Sequence, residues 1–278
     1  MSQSSPSPKR SAQERKVTTQ ALLEMKRSGR KITALTCYDF LMAEKLDEAG
    51  IDVVLVGDSV AMVVQGLDTT VPVTLEQMLY HAGLVARGIQ RSLVVGDLPF
   101  MSYQVRPDEA LRNAGRMVKE SYVEAVKLEG GRTVCATVER IVDVGIPVMR
   151  HLGLTPQSIH KFGTYRVRAT SDDEADELRR DALALQDAGA FSLVLEKVPA
   201  DLAAEVARSL EIPVIGIGAG PNVDGQILVS HDMLGLYTKF KPRFVRRYAN
   251  LGQEMQDAFT RFAEDVRSGS FPDETESY

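Results

Sequence analysis

The chain has 278 residues, of which 44% are hydrophobic and 26% charged, with a formal net charge of −5. These are the proportions of an ordinary soluble globular protein, which excludes collagen-like, disordered and disulfide-stapled classes. With 38 acidic against 33 basic residues there is no electrostatic footing for nucleic acid or an anionic membrane.

The N-terminal segment 1–16, MSQSSPSPKRSAQERK, lacks an apolar signal stretch and has too little hydrophobic content to build a core, so it is expected to be a disordered tail. From residue 17 short β-branched runs alternate with longer amphipathic segments. ITALTCYD (32–39) and VVLVGDS (53–59) come first. A predicted helix over 74–88 follows, where Thr74 and Gln77 have the spacing of a capping box. Next come LVVGDLP (93–99), a helix over 107–122, then AVKLEGG (125–131) and PVMRHLG (147–153). A helix over 172–188 precedes LVLEKVP (193–199), and another over 199–209 precedes PVIGIGAG (213–220). LVSHDML (228–234) is the weakest strand pattern of the eight. Near-continuous apolar runs with polar or glycine-rich ends are what parallel strands covered on both faces require. The expected fold is a single-domain α/β (β/α)8 TIM barrel over 17–268, with an open doubly wound sheet as the alternative. The last residues, 269–278, read as a flexible acidic tail. No internal repeat or interior linker interrupts the chain, and no apolar run approaches the roughly 18 residues of a membrane span. Cys37 and Cys135 are too few for a disulfide framework and read as reduced thiols of a cytoplasmic protein.

Ionisable residues recur where these runs end: Asp58, Asp97, Glu129, His151 and Glu196. In an α/β barrel all such ends share one face, so residues remote in sequence converge at the mouth. Several carboxylates buried together are very costly without a cation, so they either spread into water or hold a positive ion. A lone Asp after a strand is an ordinary helix cap. Two at equivalent ends, with Glu129 nearby, favour a metal site, and an all-oxygen set suits Mg²⁺, with Mn²⁺ or Co²⁺ as substitutes. Lys127 and Glu129 lie two apart on one strand and so point to the same side. They are either a buried ion pair closing a barrel layer, or Glu129 joins the metal shell while Lys127 meets an anionic substrate. Lys127 as a Schiff-base lysine is a third option. Glu196 alone reads as a solvated acid, and as a general base it would need an apolar wall. His151 either orients substrate or is structural; His81 reads as structural, and His160 gives no signal.

Three motifs mislead. Gly216-Ile217-Gly218-Ala219-Gly220 imitates a dinucleotide loop, but the third glycine would fall on Pro221 and the motif follows the seventh strand, so NAD is not expected. These glycines permit close approach to a ligand or a neighbouring loop. Gly57-Asp58-Ser59-Val60-Ala61 imitates a nucleophile elbow but comes too early and ends on alanine. Ser230-His231-Asp232 is not a triad, since neighbours on a strand point to opposite faces.

TCYDF (36–40), VLVGDSVAMVVQG (54–66), TTVPVTLEQMLYHAGLVARG (69–88), VGDLPFMSYQ (95–104), AVKLEGG (125–131), HLGLTPQS (151–158), AGAFSLVLE (188–196), IPVIGIGAG (212–220) and VDGQILVSHDMLGL (223–236) resemble the ketopantoate hydroxymethyltransferase family, in its order, over 30–245. The resemblance implies a magnesium-dependent (β/α)8 transferase of pantothenate biosynthesis. Such an enzyme transfers a hydroxymethyl group from 5,10-methylenetetrahydrofolate to 3-methyl-2-oxobutanoate, giving 2-dehydropantoate through a Mg²⁺-stabilised enolate. It further implies that Asp58, Asp97 and Glu129 are the metal-site acids, that Asp58, Ser59, Asp97 and Lys127 contact the oxo acid, and that Glu196 accepts the proton. His151 falls in an active-site block and is expected at the substrate. The family forms cytoplasmic homodecamers, so a homo-oligomer is expected. Arg150 and Ala61 stand where the family usually has glycine, Lys197 replaces a common cysteine, and YRVRAT (165–170) departs from the usual stretch. Arg150 is expected to crowd the fifth loop, which bears on folate affinity. Competing readings are a Mg²⁺-dependent lyase of the phosphoenolpyruvate mutase and isocitrate lyase group, whose cysteine-bearing loop has no counterpart here, and a non-catalytic metabolite-binding relative.

Overall fold

A computed structural model describes residues 15–237 and 242–278. Of the expected N-terminal tail, 1–14 lies outside the described residues.

Apolar runs of four to six residues become strands, and each amphipathic segment that follows returns the chain over the outside. The strands are β1 (Ile32–Thr36), β2 (Val53–Val56), β3 (Leu93–Asp97), β4 (Ala125–Glu129), β5 (Val148–Gly153), β6 (Ser192–Glu196), β7 (Val214–Ile217) and β8 (Gly225–Leu228). They form a closed parallel barrel in sequence order, which leaves no sheet edge to template aggregation. Every residue of β2, β3, β4 and β7 is buried, the burial on both faces that the continuous apolar runs anticipate.

The helices of this part are α1 (Thr19–Ser28), α2 (Phe40–Glu48), α3 (Val60–Val63), α4 (Leu75–Gly88), α5 (Pro107–Ser121), α6 (Cys135–Val142), α7 (Ile159–Phe162), α8 (Asp172–Asp187) and α9 (Ala200–Ser209). The capping box at the start of α4 forms as expected: the Gln77 amide N–H donates to the Thr74 hydroxyl, and the Thr74 N–H donates to the Gln77 side chain. A core of Val54, Val94, Val126, Leu128, Leu193 and Leu195 packs with apolar residues of the surrounding helices, such as Met78, Met117, Leu185 and Val206.

The eighth strand differs from expectation. It occupies 225–228, and the predicted run 228–234 instead turns into a short helix, α10 (Ser230–Met233), so Ser230, His231 and Asp232 lie on a helical turn. Ser and Asp favour helix starts over strand interiors. Closure at β8 depends on Gly225, because a Cβ there would stand 2.5 Å from the carbonyl oxygen of Ile32 on β1.

The chain divides into two compact units, Met1–Ile227 and Leu228–Tyr278. The second contains α10, α11 (Leu251–Ser268) and a 3₁₀ turn at Glu274–Glu276. No residue of α11 is buried, and Met255, Phe259, Phe262 and Val266 form an exposed stripe along it. The segment expected as an acidic tail carries a capping box on its 3₁₀ turn, Asp273 with Glu276. Among the described residues no helix is long and apolar enough to cross a membrane.

Candidate active site

Strand register decides which side chains meet. Asp97 pairs with Lys127 across β3 and β4, and Glu129 pairs with His151 across β4 and β5. Glu196 pairs with Gly153 across β5 and β6. Asp97, Glu129 and Glu196 are the last residues of their strands, and Asp58 follows two residues after β2. The carboxyl ends of β2 to β6 therefore bring these groups to one mouth, where barrel enzymes keep their chemistry.

Asp58, Asp97, Lys127, Glu129 and His151 are each 4% exposed or less. Lys127 Nζ donates to Asp97 Oδ2 at 2.6 Å, and the Asp58 backbone N–H donates to the same oxygen at 3.3 Å. His151 lies between two acids, with Nδ1 3.3 Å from Glu129 Oε1 and Nε2 3.5 Å from Glu196 Oε2. These are ion-pair distances without hydrogen-bond alignment. Ser59, next to Asp58 in the chain, shares a 2.7 Å hydrogen bond with the Tyr38 hydroxyl. That partner is a phenol, so nothing in the geometry makes Ser59 the base-activated nucleophile of an elbow.

Burial, then the charges of Asp97 and Glu129, push the Asp58 carboxyl up to about 7. Burial also raises Asp97, against the pull of Lys127. For Lys127 burial works against the charge, but Asp97, Glu129 and Asp58 outweigh it and raise its pKa. An amine held so firmly as ammonium is a poor imine-forming nucleophile, which weakens the Schiff-base reading. Burial would raise Glu129, yet His151, Lys127 and the Gln157 backbone amide keep it below the usual carboxylate range. His151 is disfavoured as a cation by burial but lifted by Glu129 and Glu196 to about 9.

Among the described residues no three His, Cys, Asp or Glu groups are gathered closely enough to chelate one ion by themselves. The expected trio Asp58, Asp97 and Glu129 is a set of interacting buried acids. Lys127 and His151 supply the positive charge among them. Asp97 Oδ1 is buried without a hydrogen-bond partner, and Glu129 Oε1 has only its ion pair with His151.

Three residues not singled out in the sequence complete the site. Gln157, on the 3₁₀ turn Pro156–Ser158, is 4% exposed. Its side-chain amide donates to Asp58 Oδ2 at 3.1 Å and to the Leu98 carbonyl at 3.0 Å, while its backbone N–H donates to Glu129 Oε2 at 3.0 Å. Tyr103 donates to Gln157 Oε1 at 2.7 Å and accepts from the Glu129 backbone N–H at 3.1 Å. Tyr38 holds Ser59. A neutral amide and two phenols carry no charge pattern; the only sequence signal was that Tyr38, Tyr103 and Gln157 lie inside TCYDF, VGDLPFMSYQ and HLGLTPQS.

The remaining motifs resolve locally. Gly220 packs on the start of α9, where a Cβ would lie 2.4 Å from Ala200 Cβ, so that glycine serves a neighbouring segment. Arg150 is fully buried within β5 and donates to the Gly130 carbonyl at 2.8 Å, so it braces the fourth loop. Its Nε and Nη1 have no hydrogen-bond partner. Ala61 is also fully buried, and Lys197 bonds the Tyr165 carbonyl.

A model of the ketopantoate hydroxymethyltransferase family matches residues 16–274. The 3-methyl-2-oxobutanoate hydroxymethyltransferase of Salinibacter ruber (strain DSM 13855 / M31) is 61% identical over 95% of this chain and 99% of its own length. That of Chlorobium phaeobacteroides (strain BS1) is 60% identical over 94% of this chain and 96% of its own. Among solved structures, phosphonopyruvate hydrolase with oxalate and Mg²⁺ superposes with a TM-score of 0.60 at 13% identity, covering 93% of this chain and 92% of that one. A 2,3-dimethylmalate lyase of the phosphoenolpyruvate mutase and isocitrate lyase superfamily gives 0.57 at 18% identity, covering 94% and 91%. At such identities these two likenesses concern the fold alone. The lyase group considered from the sequence therefore shares this architecture, while the close sequence relatives are hydroxymethyltransferases.

Proposed function

We propose a mechanism from the premise that this chain belongs to the ketopantoate hydroxymethyltransferase family, as a hydroxymethyl-transferring enzyme. On this reading it moves a hydroxymethyl group from 5,10-methylenetetrahydrofolate to 3-methyl-2-oxobutanoate, forming 2-dehydropantoate. The observation that carries the reading is Asp97 Oδ1, a buried carboxylate oxygen without a hydrogen-bond partner in a group whose other oxygen holds the ammonium of Lys127. Buried carboxylate oxygens with nothing to bond are costly unless a cation or ligand uses them.

The donor set fits a hard divalent cation. Mg²⁺ is commonly held by one or two carboxylates with water and substrate oxygens completing the shell. Asp58 and Asp97 would hold it, with Glu129 acting from the surrounding shell; Mn²⁺ and Co²⁺ are the substitutes such oxygens accept. When bound, the ion supplies Lewis acidity at the keto oxygen of the oxo acid, a contribution of several kcal/mol at most sites of this kind.

The protein's own groups do the rest. Lys127 and Ser59 bind the anionic end of the oxo acid. Glu196, with 16% of its side chain exposed, removes the C3 proton. His151, charged through neutral pH between Glu129 and Glu196, orients the base and keeps the two acids from repelling each other. The carbon nucleophile so formed bonds to the folate-derived methylene carbon, and water supplies its hydroxyl as both carbon–nitrogen bonds to the folate break. The C3 proton and the second hydrogen of the water go to the two folate nitrogens, and tetrahydrofolate leaves. Burial of Asp58, Asp97 and Lys127 keeps bulk water from protonating that carbon first. A cytoplasmic homodecamer is the assembly and location this reading carries with it.

The test is formation of 2-dehydropantoate from the two substrates. Product is expected only when oxo acid, methylenetetrahydrofolate and a divalent cation are all present. Product without the folate donor, or undiminished turnover in excess chelator, would contradict the reading.

A further inference from the structure

The proposed reaction needs a second ligand beside the oxo acid, and the acid cluster borders a place for it. A cavity of about 830 Å³ begins one residue past Glu129, at Gly130, and one past His151, at Leu152. This lies within the 300–1,000 Å³ typical of cofactor-sized sites. Its wall at Gly153 lies against the proposed base: φ there is +89°, and a Cβ would stand 2.2 Å from the Glu196 carbonyl oxygen. No side chain at 153 separates the cavity from that backbone.

The lining is of two kinds. Gly130 leaves part of one wall as backbone, whereas Gly131 is covered by the Asp181 carboxylate, a Cβ there standing 1.8 Å from Oδ2. Phe162 also lines the cavity, with the Arg168 guanidinium 4.3 Å from its ring centroid, so an aromatic surface and a cation meet there. Arg168 pairs with Glu174 and Arg132 with Asp181, whereas Lys161 and Glu177 enter no ion pair among the described residues. Arg168 belongs to the stretch YRVRAT, where the sequence leaves the pattern of its family.

We propose that this cavity binds the reduced folate donor, which rests on the function proposed above. The rings lie between the Gly130 backbone and Phe162, with the methylene end toward Gly153 and Glu196. The glutamate carboxylates reach the cations Lys161 and Arg168, and Glu177 is the acceptor available to the N–H-rich edge of the pterin. An aromatic ligand with an anionic tail matches this combination of aromatic face and unpaired ammonium.

Equilibrium binding of the stable analogue 5-formyltetrahydrofolate to the full chain, with Mg²⁺ and 3-methyl-2-oxobutanoate present, tests the assignment. Phe162→Ala and Lys161→Glu, both at positions not fully buried, are each expected to weaken binding by about tenfold or more. Lys161→Arg is expected to stay within about threefold of the original, which separates lost charge from misfolding. No binding by the unmodified chain, or unchanged affinity in both weakening variants, would overturn the assignment. Turnover by the unmodified chain is read separately. Product formation with folate affinity unchanged in both variants refutes the cavity alone. Folate binding that depends on Phe162 and Lys161 without any product upholds the cavity and refutes the reaction.

Discussion

Gln157 ties the buried acids together without carrying a charge. It reaches Asp58, the Glu129 carboxylate and the Leu98 carbonyl, and Tyr103 fixes its orientation. Outer residues of this sort typically change metal affinity or activity by 10–100-fold when removed. Gln157→Ala is expected to lower both kcat/KM and Mg²⁺ affinity by roughly that factor, about 10–100-fold, with the folded state retained. Calorimetric titration of Mg²⁺ beside a rate assay checks it, and unchanged values for both would make Gln157 a mere packing residue. Its role was not legible from the sequence, because charge at a strand end advertises itself and a neutral amide on a turn does not. The acids were legible for the converse reason: Asp97, Glu129 and Glu196 interrupt apolar runs at the very residue where each strand ends. Asp58 was found by the same pattern although its strand stops two residues earlier, at Val56.

At the scale of elements, alternating runs gave the barrel because a strand buried on both faces has little choice of composition. β8 escaped this logic. Its sequence, GQIL, alternates in burial and opens on a glycine, so the more hydrophobic run just after it attracted the assignment. Gly225 is there for contact with β1, a long-range constraint that no local window contains. Gly225→Val would press a side chain into the Ile32 carbonyl 2.5 Å from the Cβ position and the Ile32 Cβ at 2.7 Å. The seam would have to open. A loss of at least about 1–3 kcal/mol is expected, the usual cost of overpacking, measured as a shift of the urea midpoint at constant m-value. A midpoint unchanged by the valine would mean that β8 tolerates displacement and does not seal the barrel. α11 also lay outside the predicted elements: its stripe of Met255, Phe259, Phe262 and Val266 is amphipathic, but none of it is buried in this chain.

At the scale of the molecule, folding carries a cost that ligand binding can repay. The barrel brings the acids of β3 and β4 together with Asp58, and burial then raises Asp58 to about 7 from its ordinary 3.8. A raised acid stabilises the fold fully below pH 3.8 and loses that contribution as pH rises toward 7. Above this the carboxylate is charged, buried and in need of a cation. Mg²⁺ binding below the folded pKa must displace a proton, and above it need not. Mg²⁺ at fixed concentration is therefore expected to raise Tm more at pH 8 than at pH 6. A larger rise at pH 6 would show that Asp58 is not coupled to the ion.

The central claim is that these groups together make C3 of an oxo acid acidic, with Glu196 taking the proton. Exchange of that proton for deuterium, followed by proton NMR on 3-methyl-2-oxobutanoate with Mg²⁺ and no folate, reads this step alone. The account predicts cation-dependent exchange by the unmodified chain and near-complete loss of it in Glu196→Gln, with Mg²⁺ still bound. Exchange that continues undiminished in Glu196→Gln would contradict it.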